Sequence, residues 1–445
     1  MRLMLLLSTV LLLPCSLHAQ EWPRFRGPNG SGVNTNATIK PQWTDADVKW
    51  KVKLSGGGIS SPVVWGEKVF VHSAEEPAVA AEPGPKKGKG KAGKGKAGKA
   101  AAGAGENSNR IISCLDAKNG KLLWEKKYPG PANRTHQFNV HATSTPVVDD
   151  KAVYVTWGSP EKIVMVALTH DGKQLWEANL GPYNTGFGFG TSPTPFEDLL
   201  ILTNEQEKGP ASVVAVEKAT GKIRWTAPRD TTRACFSTPC IWQAGDSGPQ
   251  LILTNWSLGV SALDPRTGKL LWERQKVFGV REERAIGSPV ADGDYVLGTC
   301  GFTASPKNLV AFKPAAARNG ANEPAWKTVE QYVSHIPTPL VIGDRVYLWA
   351  DNGVVSCLDL ATGKSIWSQR LEALPGTYFA SPISDGKTIL GVSEYGNVVA
   401  IAAGDSFKQL SQHNLDELTR STPALASGYL FIRTFEHLYC INASR

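Results

Sequence analysis

One eleven-residue phrase, written three times, constrains this chain more than any other feature. "LDAKNGKLLWE" at 115–125 returns as "LDPRTGKLLWE" at 263–273 and, less faithfully, as "LDLATGKSIWS" at 358–368. Self-similarity at long spacing belongs to architectures of stacked units, none of which can bury its apolar surface alone. Each unit opens on a Ser/Thr-Pro-type signature and an apolar run: "SSPVVW" from Ser60, "STPVVD" from Ser144, "TSPTPF" from Thr191, "STPCIW" from Ser237, "GSPVAD" from Gly287, "PTPLVI" from Pro337, "ASPISD" from Ala380 and "STPALA" from Ser421. There are eight openings, and after the first unit they recur every 40 to 50 residues.

Within a unit, three short alternating strands lead to an Asp-x-x-Thr/Asn-Gly turn, and a fourth strand carries Trp. The Trp slot is filled by Trp124, Trp176, Trp225, Trp272, Trp326 and Trp367, and the seventh unit has lost it. Four short antiparallel strands per period describe a propeller blade. Asp116, Asp264 and Asp359 stand where a carboxylate can accept backbone N–H groups of the turn. Gly120, Gly268 and Gly363 supply the positive φ of the reversal, and the Trp rings fill the space between blades. The last unit lacks a fourth strand, whereas "VKWKVKL" at 48–54, with Trp50 in the Trp slot, has no blade of its own. The fold class expected is therefore all-β: an eight-bladed propeller over 48–445, closed by pairing that N-terminal strand with the last blade.

The rest of the chain frames this body. Residues 1–19, with Arg2, an apolar run and Ala19, read as a secretory signal peptide cleaved after Ala19, with lipidation at Cys15 the weaker alternative. A leader at 20–47 follows, and a Lys/Gly/Ala tract within about 75–109 reads as a disordered insertion. The net charge of +8 comes from seven lysines in that tract and Arg2, and the remaining basic residues balance the acidic ones. A nucleic-acid partner is therefore not expected. No run after the first is apolar enough to span a bilayer, and a soluble, periplasmic or secreted monomer is expected. The six later cysteines form no metal-binding spacing, and no Cys235–Cys240 disulfide is expected, because their separation points them to opposite strand faces. Cys114, Cys357 and Cys440 share one place in their repeats and read as small core residues.

These residues resemble the pyrroloquinoline-quinone (PQQ)-type repeat propellers, whose A-x-D-x-x-T-G-x-x-x-W run stands here as "ALDPRTGKLLW" at 262–272. The leader "EWPRFRGPNGSG" at 21–32 resembles that of exported, planctomycete-type members. The resemblance implies either of two branches: PQQ- and calcium-dependent alcohol or sugar dehydrogenases, or non-catalytic scaffolds such as BamB. The dehydrogenase branch implies adjacent cysteines, acid and amide calcium ligands and a catalytic Asp. The chain has no Cys-Cys pair, and Asp351 in "ADNG" reads as a hairpin turn. No catalytic residue, metal or cofactor is therefore expected, PQQ and calcium entering only with the dehydrogenase alternative.

Propellers bind in the axial funnel, near the start of each innermost strand. Counting to those positions gives Gly57, Gly58, His141, Phe189, Arg233, Arg284, His335, Tyr378 and Arg420. Of these, His141, Arg233, Arg284, His335, Tyr378 and Arg420 are the candidate ligand residues, suited to an anion or an acidic peptide. His136 and His141 alone make a poor metal site. "GFGFG" at 186–190 lacks the strand-then-helix context of a nucleotide loop and reads as backbone crowding the funnel wall. Trp22, Phe25 and Arg26 are expected to pack over the disc. The function expected is an exported scaffold for a protein or peptide partner of the cell envelope, the alternatives being the quinone dehydrogenase and a carbohydrate- or anion-binding module.

Overall fold

The computed structural model describes residues 21–75, 108–133, 135–231, 233–243, 245–279, 283–302, 307–314, 323–371 and 377–443. The signal-peptide reading and most of the Lys/Gly/Ala tract lie outside them. Eight four-stranded antiparallel sheets form the blades of a propeller. Seven are continuous in sequence. The eighth combines Ala424–Ala426, Tyr429–Arg433 and His437–Asn442 with the N-terminal strand Val48–Lys53, which pairs antiparallel with His437–Asn442 and sets Trp50 opposite Cys440. No helix among the described residues is long and apolar enough to cross a membrane.

The repeated phrase has a geometric cause that spans two blades. The indole of one blade donates to a backbone carbonyl in the turn of the next: Trp50 to Ala117 (3.0 Å), Trp124 to His170 (2.8 Å), Trp176 to Lys218 (2.8 Å), Trp225 to Pro265 (3.2 Å), Trp326 to Leu360 (2.8 Å) and Trp367 to Gly404 (2.9 Å). The turn is held by its acid, with Lys118 and Asn119 N–H on Asp116 Oδ1, Arg266 and Thr267 N–H on Asp264 Oδ1, and Thr362 N–H on Asp359 Oδ1. Its glycine lies flat against the neighbouring indole. A Cβ on Gly120 would stand 2.7 Å from Trp50, and one on Gly268 would stand 2.5 Å from Trp225, both at φ +73°. Small residues sit opposite each Trp across the strand pair, Cys114, Ala262, Cys357 and Cys440 among them. The six cysteines after residue 20 are buried free thiols.

Gly268→Ala therefore adds both a clash and left-handed strain. We expect it to cost about 2–3 kcal/mol, read as a shift in the denaturant midpoint. A cost under 0.5 kcal/mol would mean that the blades do not interlock here.

Two blades break the pattern and show the same packing need. In blade 4, Trp272 donates instead to Gln250 of its own blade (2.8 Å). In blade 7, Ser411 occupies the Trp slot opposite Ala400 and donates to Pro41 of the leader. Trp43, also from the leader, then packs against His413 with ring centroids 3.7 Å apart and the rings tilted by 39°. The leader thus supplies the indole that the blade lacks.

The leader runs across one face of the disc and bonds to seven blades among the described residues. Trp22 pairs with Val64 of blade 1, and Pro23 accepts from Val148 of blade 2. Arg24 reaches Thr194 and Pro239 of blades 3 and 4, and Arg26 reaches Pro339 of blade 6. Val33 and Asn34 engage Ser384 and Leu425 of blades 7 and 8. Trp22 and Arg26 are fully buried where the leader packs over the disc.

Candidate functional site

Each innermost strand alternates its side chains between the axis and the neighbouring blade, with a period of two. Counted from the opening proline, the residue one place before it faces the axis in all eight blades: Ser61, Thr145, Ser192, Thr238, Ser288, Thr338, Ser381 and Thr422. All are hydroxyl residues, and they interlock. Ser61 N–H donates to Thr145 Oγ1 (3.0 Å), Thr145 N–H to Ser192 Oγ (2.9 Å), and so on through Ser192, Thr238, Ser288, Thr338 and Ser381, which donates to Thr422 at 3.0 Å. The Ser/Thr-Pro signature is thus a latch between blades as well as a strand start.

Two places earlier the side chains again face the axis, and here they are mostly apolar: Ile59, Phe236, Ile286, Ile336 and Phe379, with Arg420 in blade 8. Together these two rings line a cup of about 500 Å³, with Phe25 of the leader also in its wall. The connection from blade 1 to blade 2 reaches across the mouth. His136 stacks on Phe187 and Phe138 packs against Phe379, with centroids 5.1 Å apart in each pair. Phe138 and Phe302 are 40 % and 45 % exposed at the opening.

The arginines of the mouth are already neutralised. Arg284 pairs with Glu207 and lies 4.1 Å over the Phe187 ring, and Arg233 stands 3.9 Å from the same Glu207. Arg420 pairs with Glu394, lies over Phe379 (4.9 Å) and Phe138 (5.3 Å), and donates to Gln137 O (3.2 Å). Glu207 and Glu394 are distant in sequence from the arginines they neutralise.

Of the six candidate ligand residues, the structure brings Arg284, His335 and Arg420 to the cup. His141 is turned to Asn133 O (2.9 Å), Tyr378 is fully buried against Trp349, and Arg233 is on Glu207 outside the lining. Gly57, Gly58 and Phe189 also lie outside it. The error is one of register. His335, Tyr378, Phe189 and Gly58 stand four places before the proline, on the strand's other phase, and only His335 retains a place in the wall. The apolar ring at Ile59, Phe236, Ile286, Ile336 and Phe379 was missed, and the recurrence of an apolar or small residue three places before the proline in seven of the eight units was the available signal.

His335 is 6 % exposed and both its ring nitrogens lack a hydrogen-bond partner. Burial lowers its pKa, so at neutral pH it is an uncharged imidazole. Its backbone N–H donates to Asp351 Oδ1 (3.3 Å), whose other oxygen faces Lys307 Nζ at 3.5 Å. Asp351 is thus occupied structurally, and its turn closes through Gly353 N–H on Ala350 O. Among the described residues no three His, Cys, Asp or Glu side chains group as metal ligands. With Glu207 and Glu394 committed to arginines as well, the donor set among the described residues does not fit a calcium-polarised quinone.

The family model described as "Outer membrane protein assembly factor BamB" matches residues 107–369 and 321–445. A relative of that name in Yersinia pestis is 21 % identical over 338 residues, covering 75 % of this chain and 69 % of the relative. The crystal structure of BamB from Moraxella catarrhalis superposes with TM-score 0.55 at 14 % identity, over 76 % of this chain and 94 % of the other. A quinohemoprotein alcohol dehydrogenase from Comamonas testosteroni superposes with TM-score 0.61 at 13 % identity, over 96 % and 81 %, and shares the fold alone. With its eight latched blades and most of its length matched, the chain belongs to the BamB family of PQQ-type repeat propellers.

Proposed function

We propose that this chain is an exported, non-enzymatic scaffold of the cell envelope that binds a segment of a protein partner at the mouth of the cup. The observation that carries the reading is the composition of that mouth: exposed Phe138 and Phe302 beside Arg284 and Arg420, which are stacked on aromatic rings and held by Glu207 and Glu394. Aromatic and arginine side chains around a desolvated pocket are the usual energetic centre of a protein interface. Because the arginines are matched by acids, the mouth favours a largely apolar segment over a strongly acidic one. The family relationship to outer-membrane assembly factors supports a periplasmic setting and a protein partner.

A photo-crosslinking residue at position 302 tests this in the native envelope, with one at the exposed outer-strand position Leu270 as the comparison. Crosslinks to a discrete protein are expected at 302 and not at 270, and Arg420→Ala is expected to weaken them at least about tenfold. Equal labelling at both positions would refute the reading. Added PQQ with calcium is expected to produce neither a bound quinone spectrum nor dye reduction with alcohols.

A further inference from the structure

The leader carries two arginines into the interior together, and neither meets a carboxylate. Arg24 and Arg26 are 2 % and 0 % exposed, and no ion pair among the described residues includes either. Arg24 Nη2 donates to Thr194 Oγ1 (3.2 Å) and Pro239 O (2.7 Å). Arg26 Nη2 donates to Ser31 O (3.0 Å) and Pro339 O (2.8 Å). Those acceptors carry only partial charge. Three more nitrogens, Arg24 Nε, Arg26 Nε and Arg26 Nη1, are buried with no hydrogen-bond partner.

Two buried cations with idle donors are an unstable arrangement on their own, because a buried charge needs a counter-charge or a full set of hydrogen bonds. Burial lowers Arg24 to about 10 and Arg26 to about 9, and the charge of Arg24 adds to the lowering at Arg26. The neighbouring Cys240 thiol cannot serve as the anion, since burial pushes it up to about 12. Arg433 is as deeply buried, but it is a single cation with four acceptor contacts. Pro239 and Pro339 belong to the blades on either side of blade 5, the one blade to which the leader makes no hydrogen bond among the described residues.

We propose that the centre of the leader-covered face binds a small monoanion of halide size, held by the idle guanidinium N–H groups of Arg24 and Arg26 on the side of blade 5. The ion completes the donors' hydrogen bonds and removes the repulsion between the two cations, so it fastens the leader to the disc. An ordered water would satisfy the donors and leave the charge uncompensated, which makes the two occupants distinguishable.

The experiment uses the whole exported chain and bromide as the probe. Unfolding midpoints are measured in sodium bromide and in sodium gluconate at equal ionic strength, and bromide-soaked crystals are measured at the bromine absorption edge. The midpoint is expected to climb with bromide, as mass action on a folded-state site requires. That climb is expected to disappear in Arg26→Leu, and an anomalous peak is expected within hydrogen-bonding reach of both guanidinium groups. Should Arg26→Leu fail to fold, Arg24→Gln and the wild-type anomalous map decide the matter. Bromide peaks only elsewhere on the protein, water alone between the arginines, or equal midpoints in the two salts would overturn the proposal.

Discussion

Trp22→Ala is expected to destabilise the protein by roughly 3–5 kcal/mol, the range for deleting a large, fully buried aromatic side chain. Trp22 is 0 % exposed and belongs to the same apolar cluster as Val64 and Val69 of blade 1 and Leu430 and Ile432 of blade 8. The chain around it is rigid: Gly27, at φ +65°, presses so closely on the indole that a Cβ there would lie 2.6 Å from the ring. The ring cannot be replaced by collapse of its surroundings, because strand pairing fixes the blades and backbone bonds hold Trp22 to Val64 at 2.9 and 3.0 Å. Phe25→Ala is the control. Phe25 is only partly buried and lines the cup, so its loss is expected to cost less than half as much and to enlarge the cavity. Chemical denaturation of the two variants compares them directly. A Trp22→Ala cost below about 1 kcal/mol would show that the leader is an ornament on a self-sufficient ring.

The second large effect is expected at the closure seam. Arg433 of blade 8 is fully buried, and its guanidinium donates to Ser60 O (3.1 Å), Ser60 Oγ (2.5 Å), His72 O (2.6 Å) and Ser73 Oγ (2.8 Å) of blade 1. Burial lowers its pKa to about 9, so it remains a cation at neutral pH. Replacing it by Leu removes four charge-assisted contacts at the joint where the ring's last blade meets its first. Some of that loss is offset, since the cation no longer has to be desolvated, and Ser60 Oγ still donates to His72 O at 2.8 Å. The balance is a cost of roughly 3 kcal/mol. Hydrogen exchange adds a readout specific to the seam. Amides of Val48–Lys53 and His437–Asn442 are expected to lose protection before those of blades 3 and 4. Uniform loss over all blades would mean that Arg433 contributes to general stability and not to closure.

Much of this architecture was legible in the chain. The eight openings, the Trp slot and the unpaired strand around Trp50 specify the number of blades and the place of closure, because each unit repeats one packing problem. The funnel was less legible. Arg420 was found there because its position places it on the axis. Tyr378 was misassigned because a one-residue slip moves a side chain to the opposite face of a strand. The partners of Arg284 and Arg420 could not be read at all, since Glu207 and Glu394 meet them only when separate blades converge.

By itself, the order of residues determined the blade. An Asp-Gly turn, a small residue and an indole recur at fixed spacing, and those local rules act within a few residues of one another. Only the tertiary structure decided what the axis became. The hydroxyl latch, the neutralised arginines and the burial of Trp22, Arg24 and Arg26 all join groups far apart in sequence. No local preference encodes such meetings, because they exist only once eight sheets have been arranged in a ring around the leader.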